Sequence, residues 1–102
     1  MKIFNEEIIV IPKAVVKLGL ATAFMLSVLQ YARLYYQERN MIKNDFFPLA
    51  SATIKNEIGL SRAIQDRTIK KLLELNLIET KVIGIPATKH FKINLEQIWK
   101  LI

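Results

Sequence analysis

The stretch Phe46 to Ile93, FFPLASATIKNEIGLSRAIQDRTIKKLLELNLIETKVIGIPATKHFKI, decides the fold. It opens on the aromatic pair Phe46 and Phe47, which suits a short strand, and Pro48 restricts that strand to an edge or a terminus. Ser51 is placed to cap a helix over Ala52 to Ile58, with Ile54 and Ile58 facing inward at a spacing of four. Gly59 supplies the positive φ of a tight turn, and Leu60 follows as its buried plug. Ser61 then caps a second helix, Arg62 to Leu75, with Ile69, Leu72 and Leu73 inward and Arg62, Asp66, Arg67, Lys70 and Lys71 on the polar side. Asn76 takes a left-handed closing position. Ile78, Thr80 and Val82 alternate with Glu79 and Lys81, and Phe91 and Ile93 with His90 and Lys92, so two amphipathic strands flank the turn Ile83 to Ala87. Strand, helix, turn, helix and hairpin, in that order, describe a winged helix-turn-helix.

Outward from this motif, Glu7 to Ile11 is a β-branched run that suits a strand, and Pro12 opens a helix to Leu18 that Gly19 closes in the left-handed conformation. A longer helix spans Leu20 to Arg39. Leu20, Phe24, Val28, Tyr31 and Tyr35 form one apolar stripe along it, and Met25, Leu29, Ala32 and Tyr36 form a second. Two stripes are more than one small domain is expected to cover, so part of this helix is expected to pack on a second copy. Glu38 to Asp45 reads as a loop. Asn94 is placed to cap a closing helix, Leu95 to Ile102, whose Leu95, Ile98, Trp99 and Ile102 dock on the body or on a partner. The expected fold is mainly α with a small β-sheet: a single winged-helix domain over 1–102. It comprises an N-terminal strand and helices (1–45), the helix-turn-helix and wing (46–93) and a C-terminal helix (94–102).

The chain has 102 residues, 52% of them hydrophobic and 24% charged, which is a globular composition of single-domain size. That is too small for a helicase or polymerase. The net charge of +6 favours a polyanionic partner. Cysteine is absent, which excludes a disulfide framework, a thiolate zinc site and a thiol nucleophile, and suits the cytoplasm. The uncharged run Leu18 to Leu29 is shorter than the roughly 20 residues of a spanning helix, and Asn5, Glu6, Glu7, Pro12 and Lys13 do not fit a signal peptide. Neither a membrane segment nor a cofactor is expected. His90 is the only histidine, so no metal site is expected either. The chain has no Gly-rich phosphate loop and no HExxH, and Glu57, Asp66, Glu74 and Glu79 are scattered, so catalysis is not expected.

In a helix-turn-helix the second helix enters the major groove with its N-terminal residues toward the base edges. The residues so placed are Arg62, Ala63, Gln65, Asp66 and Arg67. Arginine can address guanine O6 and N7, and glutamine adenine N6 and N7. Lys55, Lys70, Lys71 and the wing lysines Lys81, Lys89 and Lys92 are expected on phosphates, which set affinity without reading sequence. Helix N-termini at Ser51 and Ser61 can add phosphate bonds. Asp66 lowers the local positive charge and either orients an arginine or meets DNA. The same helix face is also what an ordinary solvated face looks like, with Lys70 and Glu74 as an intrahelical pair. Tyr31, Tyr35 and Tyr36 recur at helical spacing and read as core or interface before they read as base-stacking groups.

The run IPKAVVKLGLATAFMLSVL, the strand FFPL, the block GLSRAIQDRTIKKLLELNLIET and the wing GIPATKHFKIN together resemble the N-terminal winged-helix domain of phage and plasmid replication initiators, in particular DnaD-like replisome organisers. The resemblance implies origin binding or primosome assembly with replication proteins as partners. It also implies a homodimer built partly from the N-terminal strand and helices. Carried over, Arg62, Gln65, Asp66, Lys70 and Lys71 fall on the recognition helix, and Lys89 and Lys92 on the wing. Asn76 departs from the glycine common at its position, a change that asparagine's tolerance of the left-handed region accommodates. The C-terminal region of such proteins has no counterpart here, so the chain is either an excised domain or a stand-alone binder. Two further readings use the same fold: a transcriptional regulator of a mobile element, and a winged helix serving as a protein interaction module.

Overall fold

Residues 2–102 are described by a computed structural model, and the helix boundaries follow local chemistry. Pro12 opens α1 (Pro12–Leu18), where its missing N–H would have had no intrahelical partner. Gly19 joins α1 to α2 (Leu20–Glu38) and serves both: its N–H donates to Val15 O at 2.8 Å and its C=O accepts from Ala23 N at 3.0 Å. Its φ of 84° and ψ of 159° are not the left-handed helical values expected; they lie in an extended positive-φ region open almost only to glycine. That conformation lets α2 begin at once, without a linker.

Glu7 to Ile11 is not a strand. The sheet has three strands in the order β1-β3-β2, and this segment pairs with none of them. β-branching favours a strand only where an edge is on offer. Side chains hold the N-terminal segment instead. The N–H groups of Ile3 and Phe4 both donate to Glu57 Oε1, at 2.8 and 3.0 Å, and Glu6 N donates to the Tyr31 hydroxyl at 3.0 Å.

Helix α2 is the spine of the molecule. Met25, Val28, Leu29, Ala32 and Tyr35 are all buried within the one chain, so the expectation that α2 needs a second copy to cover it is corrected. The covers are α1, α4, β1 and β3, with Phe4 lying against Tyr31 at 5.3 Å between ring centroids. Leu20 leaves its expected stripe. It stands in the first turn of α2, 70% exposed.

The sheet consists of β1 (Phe47–Pro48), β2 (Ile78–Ile83) and β3 (Thr88–Ile93), all antiparallel. β1 is a residue later than expected, because Phe46 bridges back to Lys43. Phe47 lies opposite Phe91 in the ladder, both side chains are fully buried, and their ring centroids are 6.2 Å apart. Tyr36 stacks on Phe47 from α2 at 6.3 Å. Burial there, with lesser contributions from Tyr35 and Glu57, raises the Tyr36 hydroxyl above its usual pKa. Tyr36 is thus a core group and not a platform for bases.

Helix α3 (Ser51–Ile58) starts one residue earlier than expected, from Ala50, and has no side-chain cap. Gly59 closes it in the left-handed conformation, φ 84° and ψ 12°, and Leu60 is half-buried beneath the turn. Helix α4 (Arg62–Glu74) is capped by Ser61, whose hydroxyl oxygen accepts from Ile64 N at 3.3 Å. Its end is a Schellman closure: Leu77 N to Leu72 O and Asn76 N to Leu73 O, both 3.0 Å, around Asn76 at φ 58°. Leu73 is exposed and not inward as expected. Helix α5 (Leu95–Leu101) follows β3 without a side-chain cap, since the Asn94 amide donates to Asn76 O at 2.8 Å and so ties the two ends of the hairpin. Ile98 and Ile102 pack on the body, whereas Leu95 and Trp99 remain exposed. Among the described residues no helix is long and apolar enough to cross a membrane.

Candidate nucleic-acid interface

With side chains advancing by about 100° per residue, burial of Gln65, Thr68, Ile69 and Leu72 turns Ala63, Arg67, Lys70 and Glu74 outward from α4. Arg62 and Asp66 flank that outward face on the side of the hairpin. A cleft of about 300 Å³ separates the two elements: Ile54, Ile69 and Phe91 lie at its floor, Arg62 and Asp66 on the α4 side, and Val82, Ala87, Thr88 and Lys89 on the hairpin side. Arg62 Nε and Asp66 Oδ1 are 3.4 Å apart, and both side chains are well exposed. Such a pair contributes little to stability, so either member can turn to a ligand at small cost.

Gln65 does not belong to this surface. It is 1% exposed, and its amide nitrogen donates to Leu60 O at 2.9 Å and Ser51 O at 3.2 Å, while its Oε1 accepts from the Ser51 hydroxyl at 2.9 Å. Every polar atom of the side chain is occupied, so the expected adenine contact is corrected to a structural role. Lys71 is corrected likewise: its Nζ donates to Leu18 O at 2.8 Å, closing the C-terminal end of α1 from the far side of α4.

The wing lysines separate by strand parity. Lys89 shares the parity of Phe91 and Ile93 and lines the cleft. Lys81 and Lys92 are on the opposite face of the sheet, away from α4, and are not brought together with it as expected. Lys81 Nζ lies 4.1 Å from the centroid of the Phe46 ring, and Lys92 Nζ is 3.7 Å from Glu79 Oε2. Lys55 is exposed in the last turn of α3, and Ser61 is exposed at the start of α4. His90 Nδ1 is 2.9 Å from Thr88 O, and among the described residues no group of three His, Asp or Glu side chains is placed to hold a metal ion.

Two features of the site escape the sequence reading. Gln65, Thr68, Ile69 and Leu72 recur at three and four residues, so the burial of Gln65 was legible from spacing had its polarity not argued the other way. The outer end of the hairpin is apolar and exposed. Val82, expected inward by alternation, is 64% exposed because the strands run on past the core. Comparison with protein-family models, with curated proteins and with solved structures finds no match to this chain.

Replacing Gln65 with alanine removes the partners of Ser51 O and Leu60 O and leaves a gap between α3 and α4. The variant is expected to lose about 2 kcal/mol of unfolding free energy, measured by urea denaturation against wild type. Unchanged stability would contradict the structural assignment.

Proposed function

We propose that this chain binds duplex DNA, with α4 in the major groove and the hairpin beside it, and that it does so without catalysis. The observation that carries the reading is the clustering of Arg62, Arg67, Lys70 and Lys89 around one cleft, on the two elements that project from the body. With Gln65 withdrawn, base reading falls to Arg62, Ala63, Asp66 and Arg67. Arginine suits guanine, the Ala63 methyl suits the thymine methyl, and the Asp66 carboxylate suits the cytosine amino group. Lys70 and Lys89 fit phosphate contacts, and Lys55 and the Ser61 helix N-terminus fit the outer backbone. The resemblance to replisome organisers supports a role in replication initiation of a phage, plasmid or other mobile element, in the cytoplasm and with replication proteins as further partners.

The homodimer implied by that resemblance is also proposed, but seated away from α2. A groove of about 350 Å³ runs between the N-terminal segment, α2 and α5, with Ala14, Ala23, Leu26 and Ile98 at its base and Ile9, Ile11 and Trp99 at its rim. Trp99 is 73% exposed. An apolar knob and an apolar hollow on one face are what a two-fold self-contact requires, because the same patch must serve both copies. A second copy is therefore the occupant proposed.

Fluorescence anisotropy with a labelled mixed-sequence duplex at two salt concentrations tests DNA binding. Salt-dependent binding is expected, and Lys70→Ala should reduce the slope of log affinity against log salt by about 1, whereas Arg67→Ala should reduce discrimination between duplexes. Absence of salt-dependent binding at micromolar protein would remove the proposal. Sedimentation at micromolar concentration tests the dimer: wild type should sediment as a dimer and Trp99→Ala as a monomer, and a monomeric wild type would remove that proposal.

A further inference from the structure

The six residues Val82 to Ala87, VIGIPA, contain no polar side chain. The last pair of the β2–β3 ladder is Ile83 with Thr88, so Gly84 to Ala87 form the turn at the far end of the hairpin. Hairpin turns in water are ordinarily made from glycine, asparagine and aspartate, which solvent accepts. Here the apical Ile85 is 103% exposed and rests on nothing. Gly84, at φ 94°, opens the turn, and the pyrrolidine ring of Pro86 fixes its own φ, so the tip has few conformations to lose on contact. Lysines stand behind it on both faces of the ribbon: Lys89 toward the cleft and α4, Lys81 on the outer face. An apolar point with cationic shoulders does not suit a phosphate, and it does not suit an acidic protein surface. It suits the interior of a base stack flanked by two phosphate strands.

We infer that the hairpin tip is a wedge, with Ile85 entering a base step of the duplex from the minor groove and unstacking it. The inference rests on the duplex-binding reading above. If α4 occupies the major groove, the cleft between α4 and the hairpin straddles one sugar–phosphate strand, and the groove across that strand is the minor one. Isoleucine and proline are among the side chains that open steps in this way, and the insertion kinks and untwists the duplex. Val82 and Ile83 follow Ile85 along the ribbon and cover the exposed edges of the opened step. Binding and local unwinding are thereby joined in one small domain.

The test uses the full chain and two probes. A closed-circular plasmid relaxed by a type I topoisomerase in the presence of the protein, then stripped of protein, reports untwisting as a shift in topoisomers. Anisotropy on a labelled mixed-sequence duplex reports binding alone. Wild type should shift the topoisomers in proportion to protein added. Ile85→Ser should bind the duplex within about threefold of wild type yet leave the topoisomers where plasmid alone leaves them, and Ile85→Leu should restore the shift. Ile85 touches nothing in the fold, so these variants keep it. A wild type that binds without shifting the topoisomers, or an Ile85→Ser variant that shifts them fully, overturns the wedge while leaving duplex binding in place. No binding in the anisotropy experiment overturns both.

Discussion

The buried carboxamide of Gln65 is the constraint on which the presentation of the basic surface depends. Two helices joined by a tight turn can cross at many angles, and the short α3 has little apolar surface with which to choose one. Three hydrogen bonds from one side chain remove that freedom, since they join the first residue of α3, the turn at Leu60 and the first half of α4. The bonds are made where water cannot compete, so leaving any of those groups unpaired would cost the full desolvation penalty. Among the described residues no buried side-chain polar atom lacks a partner.

The rest of the chain holds that unit from behind. Helix α2 supplies the apolar face on which α4 and the sheet rest. Lys71 joins the back of α4 to the end of α1, and Glu57 joins the back of α3 to the N-terminal segment. The charges that might have been expected on DNA are thus divided by position. Those on the inner side of the helices bind this chain's own backbone, where orphan carbonyl and amide groups need partners. Those on the outer side have no such task, and they converge on the cleft.

Much of the architecture was legible in the sequence. Gly59, Ser61 and Asn76 act at the boundaries where their chemistry places them, and the alternation in Ile78 to Ile83 and Thr88 to Ile93 marks the hairpin. The errors arose where a local rule met a tertiary fact. Glu7 to Ile11 has the composition of a strand but no edge to join. The second stripe of α2 needed no partner chain because α1, α4 and the sheet enclose it from several sides. Ser51 was a good cap by type, yet its hydroxyl is bound to Gln65. Within the site, charge type alone suggested phosphate contacts for Lys71, Lys81 and Lys92, but strand parity and helix angle put them on other faces. The apolar hairpin end was visible as a run of residues, although exposure could be known only once the strands were seen to outrun the core.

What results is a surface with two projections of different chemistry: a helix bearing guanidinium and ammonium groups, and a ribbon that is apolar at its tip and cationic behind it. Coulombic attraction brings a duplex to such a surface from a distance, and short-range contacts decide its register. Titration of a ¹⁵N-labelled chain with a mixed-sequence duplex, followed by amide chemical shifts, tests this account most directly. Shifts should concentrate in the first half of α4, from Ser61 to Lys70, and in Val82 to Lys89, and should be small in α1 and α5. Shifts concentrated on the Trp99 face or spread evenly over the lysines, or no shifts at all, would contradict it.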